Sequence, residues 1–549
     1  MKQFLLAGAA IWAVFAAPAL AADLEPAKIA EHVKVLSSDA FEGRGPATEG
    51  EKKTVAYISE QFKAAGLKPG GDLVNGQRSW TQDVPLARFE IKGPVAVGVT
   101  TGGKAQAWTQ GDDVALRAAQ TGATRVSIKD APVVFVGYGV TAPERNWDDF
   151  KDVDLKGKVA LVLVNDPDFE TGNGDFGGKA MTYYGRWTYK YEEAARRGAV
   201  GFLVVHETAP ASYGWATVKN SNTAPLFDII RDKPSEAHAL LEGWIQRDRT
   251  VELFKASGLD FEALKKQAQT RDFKPVELKG ATFSTDYEVD VQKIVSKNVV
   301  GLIPGAKRPD ETIIYSGHWD HLGVGLPDAK GDAIYNGAVD NADGIATMIE
   351  IGRAFAKGPQ PDRSVVFLAV TAEEKGLLGS EYYAANPLYP LGKTVANINM
   401  DALSPAGPAK DFTSSGDAAS TLQDALIAVG KAQGRYYTPD SRPEAGLFFR
   451  SDHFPFAKRG VPAISFGSGS DLVQGGKEAG AAWSKAYTAD RYHQPADHFD
   501  DSWNLEGIAQ DGQLMLELGR QLADSTTWPE WKAGSEFKQT RDATASERK

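Results

Sequence analysis

The stretch "VVFLAVTAEEKGLLGS", Val365 to Ser380, reads as an apolar strand that leaves its sheet at two adjacent glutamates, Glu373 and Glu374. Neighbouring carboxylates repel and push each other toward protonation. A solvated turn is the ordinary home of such a pair; a bound cation is the other explanation. The pair alone does not decide, so the rest of the chain has to supply further ligands or fail to. On either side of it, "NVVGLIPG", "TIIYSGH", "VANINMDALS" and "VPAISFGSG" read as strands, and "DGIATMIEIGRAFA" and "AASTLQDALIAVGKAQG" as helices. Near-continuous apolar strands separated by helices imply a sheet buried on both faces. The expected class is α/β, with a mixed, largely parallel sheet flanked by helices.

In open α/β sheets, ligands bind outside the carboxyl ends of the strands. The strand "TIIYSGHWDH" ends in His318 and Asp320, and Asp340 follows just before a helix. The next strands end in Glu373 with Glu374, and in Asp401; a late loop, "RYHQPADHFDD", carries His493. Only eight His occur, and five of them fall between residues 318 and 498. Singly, each residue has an ordinary explanation. A His at a strand end is usually hydrogen-bonded in the core, and Asp favours turns and N-caps. Together they form a carboxylate cluster at one edge of one sheet, which is unstable without cations.

The chain contains no Cys, so any metal is held by His, Asp and Glu. Mixed N and O donors with open positions suit a catalytic zinc rather than a closed structural one. Five ligands exceed the needs of one open tetrahedral site. They fit two ions about 3.5–4 Å apart sharing a carboxylate. One glutamate of the opening pair then ligates, and the other takes a proton from water. Cobalt and manganese are possible substitutes in such N/O sites.

The order His-x-Asp, Asp before a helix, Glu-Glu, Asp, late His resembles the co-catalytic zinc aminopeptidases, a family that includes glutamate carboxypeptidases and glutaminyl cyclases. The resemblance is carried by "FEGRGPATEGE", "SGHWDHLG", "GAVDNADGIA", "TAEEKGLLGS", "NMDALS", "SDHFPFAKRGVPAI" and "RYHQPADH". It implies that His318 and Asp401 bind one zinc, Glu374 and His493 the other, and that Asp340 bridges them. It implies Glu373 as general base and later acid, and Asp320 as the partner that fixes the His318 tautomer. Asp452 and His453 would support the site, with His321 and His498 supporting it or lying at the surface. Where some aminopeptidases place an oxyanion-stabilising Tyr before "SDH", this chain has "LFFRSDH", which makes Arg450 a candidate substitute. The implied activity is release of N-terminal residues from a peptide substrate. The alternatives are carboxypeptidase-type hydrolysis of acidic peptides, glutaminyl cyclisation, and a non-catalytic binding role.

The 549 residues are too many for one ordinary core. A net charge of −11 argues against nucleic acid as a partner. Residues 1–21 show a Lys, an apolar run and Ala19-Leu20-Ala21, the pattern of a cleaved secretory signal. The expectation is a periplasmic or secreted protein with no membrane anchor after cleavage. The peptidase-like part is expected at 22–90 and 283–527. The phrases "GYGV", "LKGKVALV" and "AARRGAVGFLVV" in an insert, 91–282, resemble the protease-associated domain. Within the insert, Ser235 to Thr270 reads as a polar helical stretch, and the acidic loop Asn165 to Asp175 misses the spacing of an EF-hand. A polar tail, 528–549, carries Trp528 and Trp531, which could pack it down.

Overall fold

The run that opens the analysis forms the strand Arg363–Val370, buried along its whole length, and the chain turns at Glu373–Lys375. This strand pairs in parallel with Arg308–His318, which pairs in parallel with Thr394–Met400, and that strand with Ala463–Ser468. The computed structural model describes residues 24–416 and 418–548; the expected signal, 1–21, lies outside them. Helices Pro26–Leu36, Glu49–Ala65, Asp343–Lys357 and Glu506–Asp524 pack on the sheet through residues such as Ile29, Phe62, Ile349 and Leu514. The segment Thr48 to Leu67 reads in sequence as a helix with a Thr48–Glu51 capping box and a stop at Gly66; the helix Glu49–Ala65 has the Thr48 hydroxyl accepting from the Glu51 N–H and ends at Gly66 with φ 95°. That left-handed conformation is one glycine adopts without steric cost. Among the described residues, no helix is long and apolar enough to cross a membrane.

The expected joints at 90/91 and 282/283 fall inside two long strands, Thr81–Thr101 and Val276–Ile303, which pair antiparallel from Val299↔Thr81 to Ala281↔Thr101. One end of Val276–Ile303 pairs with Arg363–Val370, the other with Arg125–Phe135. The second half of the molecule continues from there as a parallel run: Arg125–Phe135, Val159–Leu163, Gly201–His206 and Leu241–Gln246. It has its own core around Phe135, Leu161, Leu203 and Phe254. The stretch from Ser235 to Thr270 is not helical throughout. Leu241–Gln246 is a strand, and helices occupy only Arg247–Ala256 and Phe261–Gln267. Burial decided this: "LEGWI" lies at the end of the sheet's parallel run and is fully buried there. In the acidic loop, the Asp166 carboxylate accepts from Thr182, and Asp168 Oδ2 accepts from the Phe176 and Gly178 N–H groups.

The tail is part of the core. Trp531 and Phe537 are buried among Phe448, Phe454 and Tyr183, and the Trp531 indole N–H donates to the Gly460 carbonyl at 3.0 Å. Arg541, also buried, donates to the Thr394 carbonyl. Trp531→Ala is therefore expected to destabilise the protein by about 3–5 kcal/mol. Urea unfolding checks this; a loss below about 1 kcal/mol would mean the tail is only laid on the surface.

Candidate metal centre

His318 ends its strand fully buried, and its Nδ1–H donates to the Asp320 backbone carbonyl at 3.0 Å. This fixes the tautomer and leaves the Nε2 lone pair facing outward. That nitrogen lies 3.2 Å from Asp340 Oδ1 and 3.2 Å from Asp401 Oδ1. The other Asp340 oxygen, Oδ2, lies 3.2 Å from His493 Nε2, which is 3.3 Å from Glu374 Oε2. One carboxylate thus stands between two His–carboxylate pairs. All five residues expected as ligands converge, from five strand ends or loops distant in sequence.

The spacings identify what fits between them. Charge-assisted hydrogen bonds usually run about 2.7–2.9 Å, shorter than any of these four contacts. A tetrahedral zinc with bonds of about 2.0–2.1 Å sets its donors about 3.3–3.4 Å apart. Glu374 Oε1 is buried and makes no aligned hydrogen bond, although His321 Nδ1 lies 2.7 Å away. The N and O donor set, with no thiolate, is also that of zinc sites with open positions. The residues present therefore fit zinc.

Neighbours hold each donor. The Val339 and Asp340 N–H groups both donate to the Asp497 carboxylate, and Ala338 N–H donates to its carbonyl. Ser451 donates to Asp401 Oδ2 at 2.6 Å and accepts from Asn399. His321 is fully buried, with Nδ1 2.7 Å from Glu374 Oε1. Tyr492 stacks on the His493 ring, centroids 3.9 Å apart. Arg44, buried in the "FEGRG" motif, donates to the carbonyls of Trp319, Asn336 and Gly337. It ties the loop after His318 to the turn before Asp340. Supporting partners of this kind orient ligands and tune their basicity. Asp497 stands four residues beyond His493 in a short turn, and that proximity is the signal by which the sequence could have flagged it.

Asp320 does more than hold His318. Its carboxylate is 3.9 Å from the ring, while Oδ1 accepts from the Glu373 N–H at 3.0 Å. It is the Asp320 carbonyl that sets the tautomer, and the carboxylate fixes the Glu373 turn. Asp452 accepts from Ser380 in the helix following that turn, His453 packs edge-on against Phe448, and His498 is exposed. Burial opposes charge on His318, but Asp401 and Asp340 outweigh it and raise its pKa well above the ordinary value. Burial, with Glu374, Asp401 and Asp452 adding, raises Glu373 well above the usual carboxylate range against the pull of His318.

Glu373, Glu374 and His493 open on a cavity of about 440 Å³. Its far wall comes from the second half of the molecule, including Arg186, Phe227 and Arg231. Ion pairs brace that wall against the helices Phe454–Lys458 and Leu378–Ala385: Lys458–Glu192 at 2.6 Å and Arg231–Glu381 at 3.6 Å. Arg450 also lines the cavity, donating to Ser212 at 3.3 Å.

Fold and donor set together define an α/β domain with a candidate metal centre at the carboxyl edge of its parallel strands. Residues 298–519 match the model described as Peptidase family M28. A Caenorhabditis elegans protein named "Glutamate carboxypeptidase 2 homolog" is 24% identical over 463 residues, covering 73% of this chain and 55% of that protein. A "Probable zinc metalloprotease" of Pyrenophora teres f. teres (strain 0-1) is 37% identical over 103 residues, 19% of this chain and 22% of its own. This chain thus spans about half the length of the first relative and about a fifth of the second. A solved aminopeptidase from Aneurinibacillus sp. strain AM-1 superposes with a TM-score of 0.47 at 19% identity, covering 91% of this chain and 95% of that one.

Proposed function

We propose that the chain is a zinc-dependent exopeptidase, exported to the periplasm or medium, that releases N-terminal residues from peptides. The observation that carries the peptidase reading is Asp340, whose two oxygens each face a separate His–carboxylate pair. The proposed ligands are His318 and Asp401 for one zinc, His493 and Glu374 for a second, and Asp340 for both. Zinc in such a set polarises a carbonyl oxygen and lowers the pKa of water toward neutrality. Glu373 is the proposed proton carrier: it accepts the proton of the attacking water and passes it to the leaving amine. Asp320 positions it through the 3.0 Å bond to its N–H. The wall contributed by residues 91–282, read as a protease-associated insert, limits the substrate to what the cavity holds. Support for the amino-end direction is the resemblance to co-catalytic aminopeptidases, and support for export is the pattern of residues 1–21.

The test is a matched peptide pair, one with a free N-terminus and one acetylated, followed by mass spectrometry with and without chelator. Stepwise loss from the free peptide only, abolished by chelation and restored by zinc, is expected. Equal cleavage of the acetylated peptide would overturn the amino-end direction, and cleavage indifferent to chelation would overturn the metal reading.

A further inference from the structure

Asp340, which faces both His–carboxylate pairs, is followed by two side chains that reach across the fold to the segment carrying another proposed ligand. Asn341 and Asp343 are both fully buried. Asn341 Nδ2 donates to the Met400 carbonyl at 2.9 Å, and its Oδ1 accepts from the Ala402 N–H at 3.3 Å. Asp343 Oδ1 accepts from the Leu403 N–H, also at 3.3 Å. Hydrogen bonds therefore bracket Asp401, one on the residue before it and two on the residues after it. All of them come from within three residues of Asp340.

The backbone around Asp401 needs such a grip. Met400 is the last residue of its strand, so beyond it the sheet ladder no longer holds the chain. Ala402 has φ 56°, a left-handed conformation that costs energy in any residue but glycine. A residue keeps it only where its surroundings over-determine it, and the bond from Asn341 does part of that. Asn341 Oδ1 also accepts from the Gly344 N–H at 3.2 Å, which ties the grip to the start of the helix Asp343–Lys357. The strand of His318 joins the same knot. A Cβ at Gly317 would lie 2.8 Å from the Met400 carbonyl oxygen, so glycine is what lets the two strand ends approach. Ser451, by contrast, holds the Asp401 side chain and not its backbone. Asp343 Oδ2 is buried without a hydrogen-bond partner. Burial, with Asp497, Asp340 and Asp401 adding, raises this carboxyl well above the usual carboxylate range against the pull of the Leu403 N–H. A neutral carboxyl accepts through its carbonyl oxygen as an amide does, so Asn is its closest substitute.

Resting on the metal reading above, we propose that Asn341 and Asp343 are positioning residues that fix Asp401 against Asp340 and keep the place of the His318 zinc ready-made in the metal-free protein. None of their bonds reaches Glu374 or His493, so they act on one ion and not on both. An ion that enters a ready-made site does not have to order the turn at Asp401. Partners that orient a ligand in this way contribute about 10–100-fold in metal affinity.

The test titrates zinc into the zinc-free protein by calorimetry, with thermal unfolding of the same zinc-free samples alongside. In Asn341→Ala and Asp343→Ala, one binding phase is expected to weaken about 10–100-fold while the other stays at its native level. Asp343→Asn, which keeps an oxygen for the Leu403 N–H, is expected to recover most of the native affinity. Both phases weakening equally, or a lower unfolding temperature with neither phase changed, would mean a merely structural role and overturn the proposal. So would an Asp343→Asn variant as weak as Asp343→Ala. Hydrogen exchange on the native protein carries the test if the alanine variants do not fold. With zinc removed, the amides of residues 402 and 403 are expected to exchange at least about tenfold more slowly than in an unfolded chain, and to gain little when zinc is added. Protection that appears only with zinc would overturn the ready-made site. A single native phase that both alanine variants weaken would remove the second ion and leave the positioning role standing. The expected zinc phases in a protein that cleaves no peptide would sink the peptidase reading alone.

Discussion

Glu373→Gln is expected to lower kcat by about 10²–10⁴-fold, the usual contribution of a positioned general base, while zinc content stays at the native level. The substitution changes one oxygen to an amide nitrogen and removes the ability to accept a proton. The cavity keeps its shape, and the N–H at 373 still donates to Asp320 Oδ1. The proposed ligand Glu374 is untouched, with its Oε2 still 3.3 Å from His493 Nε2. Metal analysis and steady-state kinetics on the same preparation separate the two roles of the opening glutamate pair. Activity within tenfold of native would show that another group carries the proton. A parallel loss of zinc would show that Glu373 is a ligand rather than a base.

The second large effect is expected from Asp340→Ala, which should reduce zinc from the proposed two ions per chain to one or fewer and abolish the proposed peptide cleavage. Among the described residues, its carboxylate is the only one within 4.0 Å of both His318 and His493, at 3.2 Å each. Without it, each zinc would keep one His and one carboxylate. That is fewer than the three protein ligands usual for a catalytic zinc. The loss should exceed the roughly 10–100-fold in affinity that removing a mere supporting partner costs. The backbone at 339 and 340 remains clamped by Asp497, so the fold should survive. Metal analysis after dialysis at fixed free zinc, with circular dichroism as the folding control, checks this. Retention of two ions would refute the shared role of Asp340.

How much of this was legible in the sequence follows from where each residue sits. Ligands at the ends of parallel strands are local: "TIIYSGH", "SVVFLAVTAEE" and "NINMD" each carry an apolar run and its terminal donor in one short segment. Strand period and the carboxyl-edge rule therefore brought His318, Glu373, Glu374 and Asp401 to one place before any coordinates. The helix from Glu49 was legible for the same reason, since its cap, apolar stripe and stop lie within its own residues. The strand Leu241–Gln246 was not. Its state depends on pairing with Gly201–His206, and its neighbours are strong helix formers. In the tail, Trp528 and Trp531 signalled packing, but not against what, because its aromatic side chains find their partners, such as Phe448, far away in the chain.

The chemistry of the site was fixed by residue type and order: no thiol, two His, a row of carboxylates, and a glutamate to spare. These are properties of short segments, so the sequence by itself determined the α/β class, the candidate donors and the kind of metal they suit. Only the tertiary structure decided the rest. It set Asp340 between two His–carboxylate pairs, made the Asp320 carbonyl the partner of His318, and placed Asp497, Ser451 and His321 behind the donors. It also brought Arg186 across to the cavity that Arg450 lines, 264 residues later in the chain. Contacts between such distant segments depend on how long strands twist and on which cores they join. No local pattern of residues encodes that.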